Sequence, residues 1–164
     1  MNKYITILVL TIILVLNTNK AFSEKISIQE DPQNELGLLF TAKKIEGAKK
    51  LIQDGKYEEA KKILKESSEW LTTGTEYHYS LYKVLTKQQN TLETQKSKIE
   101  KAHALDWGKV RDEAYFLLAT ILIKEKNFKE ALKLLIEVIN SEPDSQLGHN
   151  AYKTLQDLKF SDKP

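Results

Sequence analysis

"EAYFLLATILIKEKNFKEALKLLIEVINSEPDS", residues 113–145, decides how the chain is read. Its apolar residues recur every three or four positions on both sides of a short polar break, the signature of two amphipathic helices. Pro143 and Asp144 end the pair, because a proline cannot continue a helix. Small Ala119 and Ala131 let the two helices approach, and the larger Tyr115, Leu118, Leu122, Leu135 and Val138 fill the space around them.

The same pattern extends toward the N-terminus. Asp31-Pro32 is a helix-start signal, a capping carboxylate followed by a residue whose missing N–H costs nothing in the first turn. From there to Asp54, Leu38, Ala42, Ile45, Ala48 and Ile52 keep helical spacing, and Gly55 closes the helix. A second helix is predicted from Tyr57 to about Leu71. "TTGTE", Thr72–Glu76, reads as a break, followed by helices over about Glu76–Lys87 and Thr91–Leu105. "DWGK", Asp106–Lys109, reads as another break before the opening pair. A last helix runs from Ser145 to about Lys159, carrying Leu147, Ala151, Leu155 and Leu158, and residues 160–164 form a disordered tail. No period-two pattern predicts a strand, so the fold class is all-α.

Aligning the breaks superposes Ala60, Gln95 and Ala131, at separations of 35 and 36 residues. On Tyr115, Leu118, Ala119, Leu122, Phe128, Ala131 and the closing Pro143, the quoted stretch resembles a tetratricopeptide repeat. A second copy, from Thr41, has Gly47, Ala48, Leu51, Tyr57, Ala60 and Leu64 in the matching slots but departs at Lys44 and Ser67. The middle copy fits at Tyr79, Tyr82, Ile99 and Ala102. It departs at Lys83 and Gln95, where small residues belong, at Thr86, and at Trp107 in the proline slot. The resemblance implies a right-handed superhelical stack of three hairpins, at about 41–74, 76–109 and 112–145, with a capping helix at 145–159. An antiparallel helix bundle is the other reading. A single hairpin cannot bury its apolar face alone, so about three are needed.

The first 23 residues carry Lys3, an apolar run from Tyr4 to Leu16 and then Ala21-Phe22-Ser23. A run of 13 residues falls short of the roughly 20 that span a bilayer, so a secretory signal peptide cleaved after Ser23 is expected, with residues 24–31 as a linker. An uncleaved membrane anchor is the alternative. Without Lys3 and Lys20 the remaining chain holds 23 basic and 23 acidic residues, so the formal +2 belongs to the leader. That balance, with Arg111 the single arginine, argues against nucleic acid as a partner. The chain has no cysteine, so neither a disulfide nor an N-terminal lipid is expected and the core alone must hold the fold. Localisation in the periplasm or outside the cell follows.

Chemistry is sparse. His78, His103 and His149 fall on different predicted helices without metal-ligand spacing, and no phosphate loop or nucleophile elbow is present. No catalytic residue, metal or cofactor is therefore expected. The exception is "KESSEW", Lys65–Trp70, which is similar to the Glu-Ser pair of lytic transglycosylases and makes Glu66 the acid of an alternative cell-wall-active enzyme. That family's glycine-rich segments are missing, and Glu66 sits among Lys61, Lys62, Lys65 and Glu69.

The tetratricopeptide resemblance implies a protein-interaction module, an adaptor or scaffold that takes a peptide or partner helix along a concave face. That face would present Ile45, Lys49, Ile52 and Gln53, then Tyr77, Ser80, Val84 and Lys87, and finally Glu113, Phe116, Thr120, Ile123 and Lys124. The cationic pattern by which some relatives grip a terminal carboxylate is absent at Ile45, Leu81, Glu113 and Leu117. The helix from Asp112 to Lys124 is apolar nearly all round, which means either burial on several sides or an open apolar trough.

Overall fold

The computed structural model describes residues 37–87 and 91–160. The leader, the linker, the Asp31-Pro32 start signal and residues 161–164 lie outside them. The described residues form five helices and no strand: α1 (Leu38–Gln53), α2 (Tyr57–Thr86), α3 (Thr91–Lys124), α4 (Phe128–Ser141) and α5 (Gln146–Phe160). The class is all-α. Gly37 is extended, so α1 starts at Leu38 and does not run unbroken from Pro32.

Both predicted interior breaks are continuous helix. Thr72–Glu76 lies inside α2 and Asp106–Lys109 inside α3, so four expected helices merge into two of 30 and 34 residues. The physical reason is local. No proline lies between Pro32 and Pro143, and a helical glycine costs only about 1 kcal/mol relative to alanine. The hydroxyls of Thr72, Thr73 and Thr75 donate to the carbonyls of Ser68, Glu69 and Leu71 at 2.8, 3.1 and 2.8 Å, so these turn-favouring side chains are satisfied within the helix. Gly74 is a notch. It is buried opposite Trp107, and a Cβ there would overlap the indole, 2.7 Å from Cδ2.

Two turns repeat one geometry. After α1, Gly55 has φ +76°, its N–H donates to Ile52 at 3.1 Å, and the Lys56 N–H donates to Leu51 at 2.8 Å. After α3, Lys126 has φ 61°, its N–H donates to Ile123 at 3.0 Å, and the Asn127 N–H donates to Leu122 at 2.8 Å. Each is a Schellman turn. The turns are 71 positions apart (126 − 55), and the burial pattern follows the same offset. Ala48 and Ala119, Ala60 and Ala131, and Leu64 and Leu135 are all fully buried. The expected close approach through alanines is therefore present in the first and last hairpins.

Each helix packs on the next, α1 also touches α3, and α3 also touches α5. Cross-links from Lys61 to Glu125, Thr72 to Tyr115 and His78 to Glu100 show that α2 and α3 run antiparallel along their length. The core cluster gathers Ile45, Leu64, Leu71, Ile121, Leu135 and Val138 with Ala151 of α5; each such aliphatic side chain contributes about 1.5–3 kcal/mol by leaving water. No described residue from 72 to 106 belongs to that cluster. Beyond Leu71 and Trp107, α2 and α3 continue as a two-helix arm outside that core cluster. The segment expected as a middle hairpin is this arm. At the other end, Ser145 caps α5: its Oγ accepts the Gly148 N–H at 2.9 Å.

Candidate interaction surface

The residues expected on one face fall into two groups. Nine lie on the body: Ile45, Lys49, Ile52 and Gln53 on α1, of which Ile45 is fully buried in the core and not on a face, and Glu113, Phe116, Thr120, Ile123 and Lys124 on α3. Four lie on the arm, where Tyr77, Ser80, Val84 and Lys87 are all exposed.

In the body group the charges are engaged within the fold. Lys49 forms an ion pair with Glu113 across α1 and α3 and bonds Glu46 at 2.7 Å. The Glu113 carboxylate, and after it Glu46, raises the Lys49 pKa above its ordinary value. Lys124 donates to the Tyr57 hydroxyl at 2.9 Å and lies over that ring, 4.8 Å from its centroid. Lys61 bridges α2 to the turn after α3 through Glu125 at 2.6 Å, with Glu58 at 3.0 Å, and both carboxylates raise its pKa. Gln53 is exposed, whereas Phe116, Thr120 and Ile123 are half-buried. Phe116 and Ile123 pack on the core cluster, and the Thr120 hydroxyl donates to the Leu117 carbonyl at 2.7 Å. Part of each of these three α3 side chains is thus covered and part is showing.

The arm is built differently. Trp70 meets Trp107 edge to face at 6.1 Å, and Trp107 lies 5.7 Å from His78. His78 also neighbours Tyr77 and His103 at 5.1 Å each, and its Nδ1 lies 2.7 Å from Glu100 Oε2. The continuous helices bring His78 and His103 together, although sequence spacing keeps them apart. No group of three His, Cys, Asp or Glu side chains among the described residues is arranged to hold a metal ion. His149 is exposed on α5.

Glu66 is exposed on α2, and its neighbour Ser67 is buried with an Oγ that finds no partner.

Sequence reasoning missed Asp112. It is fully buried; its Oδ1 accepts Arg111 Nε at 2.9 Å and Nη2 at 2.7 Å, and its Oδ2 has no partner. Burial raises its pKa, against the opposing pull of nearby Ser141 and of Arg111. The signal lay in the repeat offset, because Asp112 stands 71 positions after Thr41, also buried.

No helix among the described residues is long and apolar enough to cross a membrane. The chain matches no family model, no curated protein and no solved structure.

Proposed function

We propose that the chain is a protein-binding module of the tetratricopeptide type, exported to the periplasm or beyond, that takes a peptide or partner helix from another protein. The observation that carries this reading is the packing of α1, α3 and α5 on one another in turn, with α2 and α4 making no such contact between themselves. In a superhelical repeat array, that arrangement makes the first helices of successive units one continuous face. The equivalent hairpins 38–71 and 109–142 are the units, α5 is the cap, and the degenerate middle copy is drawn out as the arm. Half-buried Phe116, Thr120 and Ile123 would form the floor of the face, with Gln53 at its edge.

The test is affinity capture from cell-envelope extract with the full chain, beside a Gln53→Arg/Thr120→Arg variant of unchanged melting temperature. A stoichiometric protein recovered by the wild type and lost by the variant is the expected result. Equal recovery by both, or none where a control adaptor succeeds, would overturn the reading. The intact mass of the exported product reports whether residues 1–23 are removed or retained as an anchor.

A further inference from the structure

We propose that one face of the arm, centred on Tyr79, Tyr82, Lys83 and Lys101, binds an acidic peptide segment. The inference rests on the protein-binding reading above and moves the principal contact from the body to the arm.

Four side chains from two helices already form one cluster. Lys83 Nζ lies over the Tyr79 ring at 4.8 Å, the Tyr79 and Tyr82 centroids are 6.0 Å apart, and Lys101 Nζ of α3 lies over Tyr82 at 5.8 Å. Helical spacing adds Lys98 and Leu105, one turn to either side of Lys101. Tyr79 and Leu105 are 50% and 56% exposed, and Lys83, Lys98 and Lys101 are exposed as well. The cluster is therefore an assembled surface, open to solvent.

Its charge selects the occupant. From Tyr77 to Lys87 the sequence has no acidic residue, and from Thr94 to Leu105 its only one is Glu100; exposed Glu76 lies one turn before Tyr79, at the end of the face away from Lys83. Glu100 is held by His78, and rings link His78 to Tyr77 and Trp107, on the opposite flank of α2 from Tyr79. On the body, Lys49 meets Glu113 and Lys61 meets Glu125, whereas Lys44 and Lys124 lie over the Phe40 and Tyr57 rings. On the arm, Lys83 and Lys101 meet tyrosine rings, which position the ammonium groups without neutralising them. A surface of fixed cations beside exposed phenol and leucine groups complements carboxylates spaced by apolar residues.

Other occupants fit less well. A second copy would bring the same lysines against these. Nucleobases need open ring faces for stacking, and Lys83 and Lys101 lie over the tyrosine faces. A bilayer needs several bulky apolar side chains to enter it, and the exposed aliphatics here are Leu105 and, at the edge beside Tyr82 and Lys83, Val84.

Fluorescence anisotropy with the full chain tests the proposal. The probes are a labelled twelve-residue peptide of glutamates with leucine at every fourth position, its lysine counterpart, a twelve-nucleotide oligothymidine, and vesicles of phosphatidylglycerol and phosphatidylcholine. The glutamate peptide is expected to bind, and to weaken about tenfold or more as salt rises from low to several hundred millimolar. Lys83→Glu/Lys101→Glu, and separately Lys98→Glu, should each reduce its affinity about tenfold or more. Lys129→Glu/Lys133→Glu, an equal charge change on α4, should leave it unaltered. Indifference to the arm substitutions, equal binding of the lysine peptide, tighter binding of oligothymidine or vesicles, or a dimer in sedimentation would each overturn the assignment. Loss of the glutamate peptide with capture through Gln53 and Thr120 intact would remove this inference alone; failure of both would remove the binding reading with it.

Discussion

Replacing Gly74 by alanine separates a continuous α2 from a broken one. If Thr72–Glu76 were a loop, Gly74→Ala would be neutral or, by favouring helix, stabilising by up to about 1 kcal/mol. In the structure a Cβ at this position overlaps the six-membered ring of Trp107. The indole is held between Trp70 at 6.1 Å and His78 at 5.7 Å, so it has little room to retreat. Overpacking of this kind costs about 1–3 kcal/mol. With the overlap so deep the upper end applies, leaving a net loss of about 1–2 kcal/mol after the propensity gain. For a chain of this size that lowers the melting temperature by roughly 2–8 °C. The decisive measurement is a double-mutant cycle by urea denaturation. In a Trp107→Ala background the obstacle is gone, so Gly74→Ala should turn from destabilising to stabilising, with a coupling of about 2–3 kcal/mol. An alanine at 74 that is neutral or favourable beside an intact Trp107, or additive with Trp107→Ala, would refute the notch.

Three further outcomes follow from local geometry. Lys126→Gly should stabilise the protein by about 0.5–1 kcal/mol by relieving a left-handed lysine, while Gly55→Ala at the equivalent turn should destabilise it by a similar amount; chemical denaturation reads both, and equal signs would contradict the turn equivalence. Ser145→Ala removes the oxygen that accepts the Gly148 N–H and should cost about 1 kcal/mol, measured the same way, with earlier hydrogen exchange at the start of α5. Asp112 has a raised folded pKa, so its ionised form is the disfavoured one in the fold. Its unfavourable contribution is fully present above the folded pKa and is relieved as pH falls through that value toward the unfolded pKa. Asp112→Asn should therefore be more stable than the wild type at neutral pH, by a margin that narrows on acidification; a margin constant across pH would show that Asp112 does not titrate in this way.

The hairpins around Ala48/Ala60 and Ala119/Ala131 were legible because their information is local. Helical spacing, a small residue at each crossing and a turn after each first helix all lie within about 35 residues. The arm was not legible because its deciding contact is not local. Gly74 reads as a breaker until Trp107 is known to fill the space above it, and the two are 33 positions apart (107 − 74). One signal was present, the lack of any proline between Pro32 and Pro143, which leaves Thr72, Thr73, Gly74 and Thr75 compatible with helix. The expected surface divided for a related reason. Lys49 and Glu113 each read as a free charge, and only the packing of α1 on α3 makes them partners.

Residues 76–105 depart from the pattern that the two hairpins share, and those departures favour an arm. Folding residues 76–105 into a third close-packed hairpin would place Lys83 and Gln95 at the crossings where Ala48, Ala60, Ala119 and Ala131 sit fully buried. A lysine at such a crossing would lose hydration without gaining a partner; in the structure both Lys83 and Gln95 are exposed. Trp107 occupies the slot that Pro143 fills in the last unit, so no residue there stops the helix, and the indole has Gly74 to receive it. Each substitution thus disfavours the compact hairpin and favours two continuous helices. The same lysine that could not be buried at a crossing lies over Tyr79 on the exposed arm, where its charge remains available to a partner.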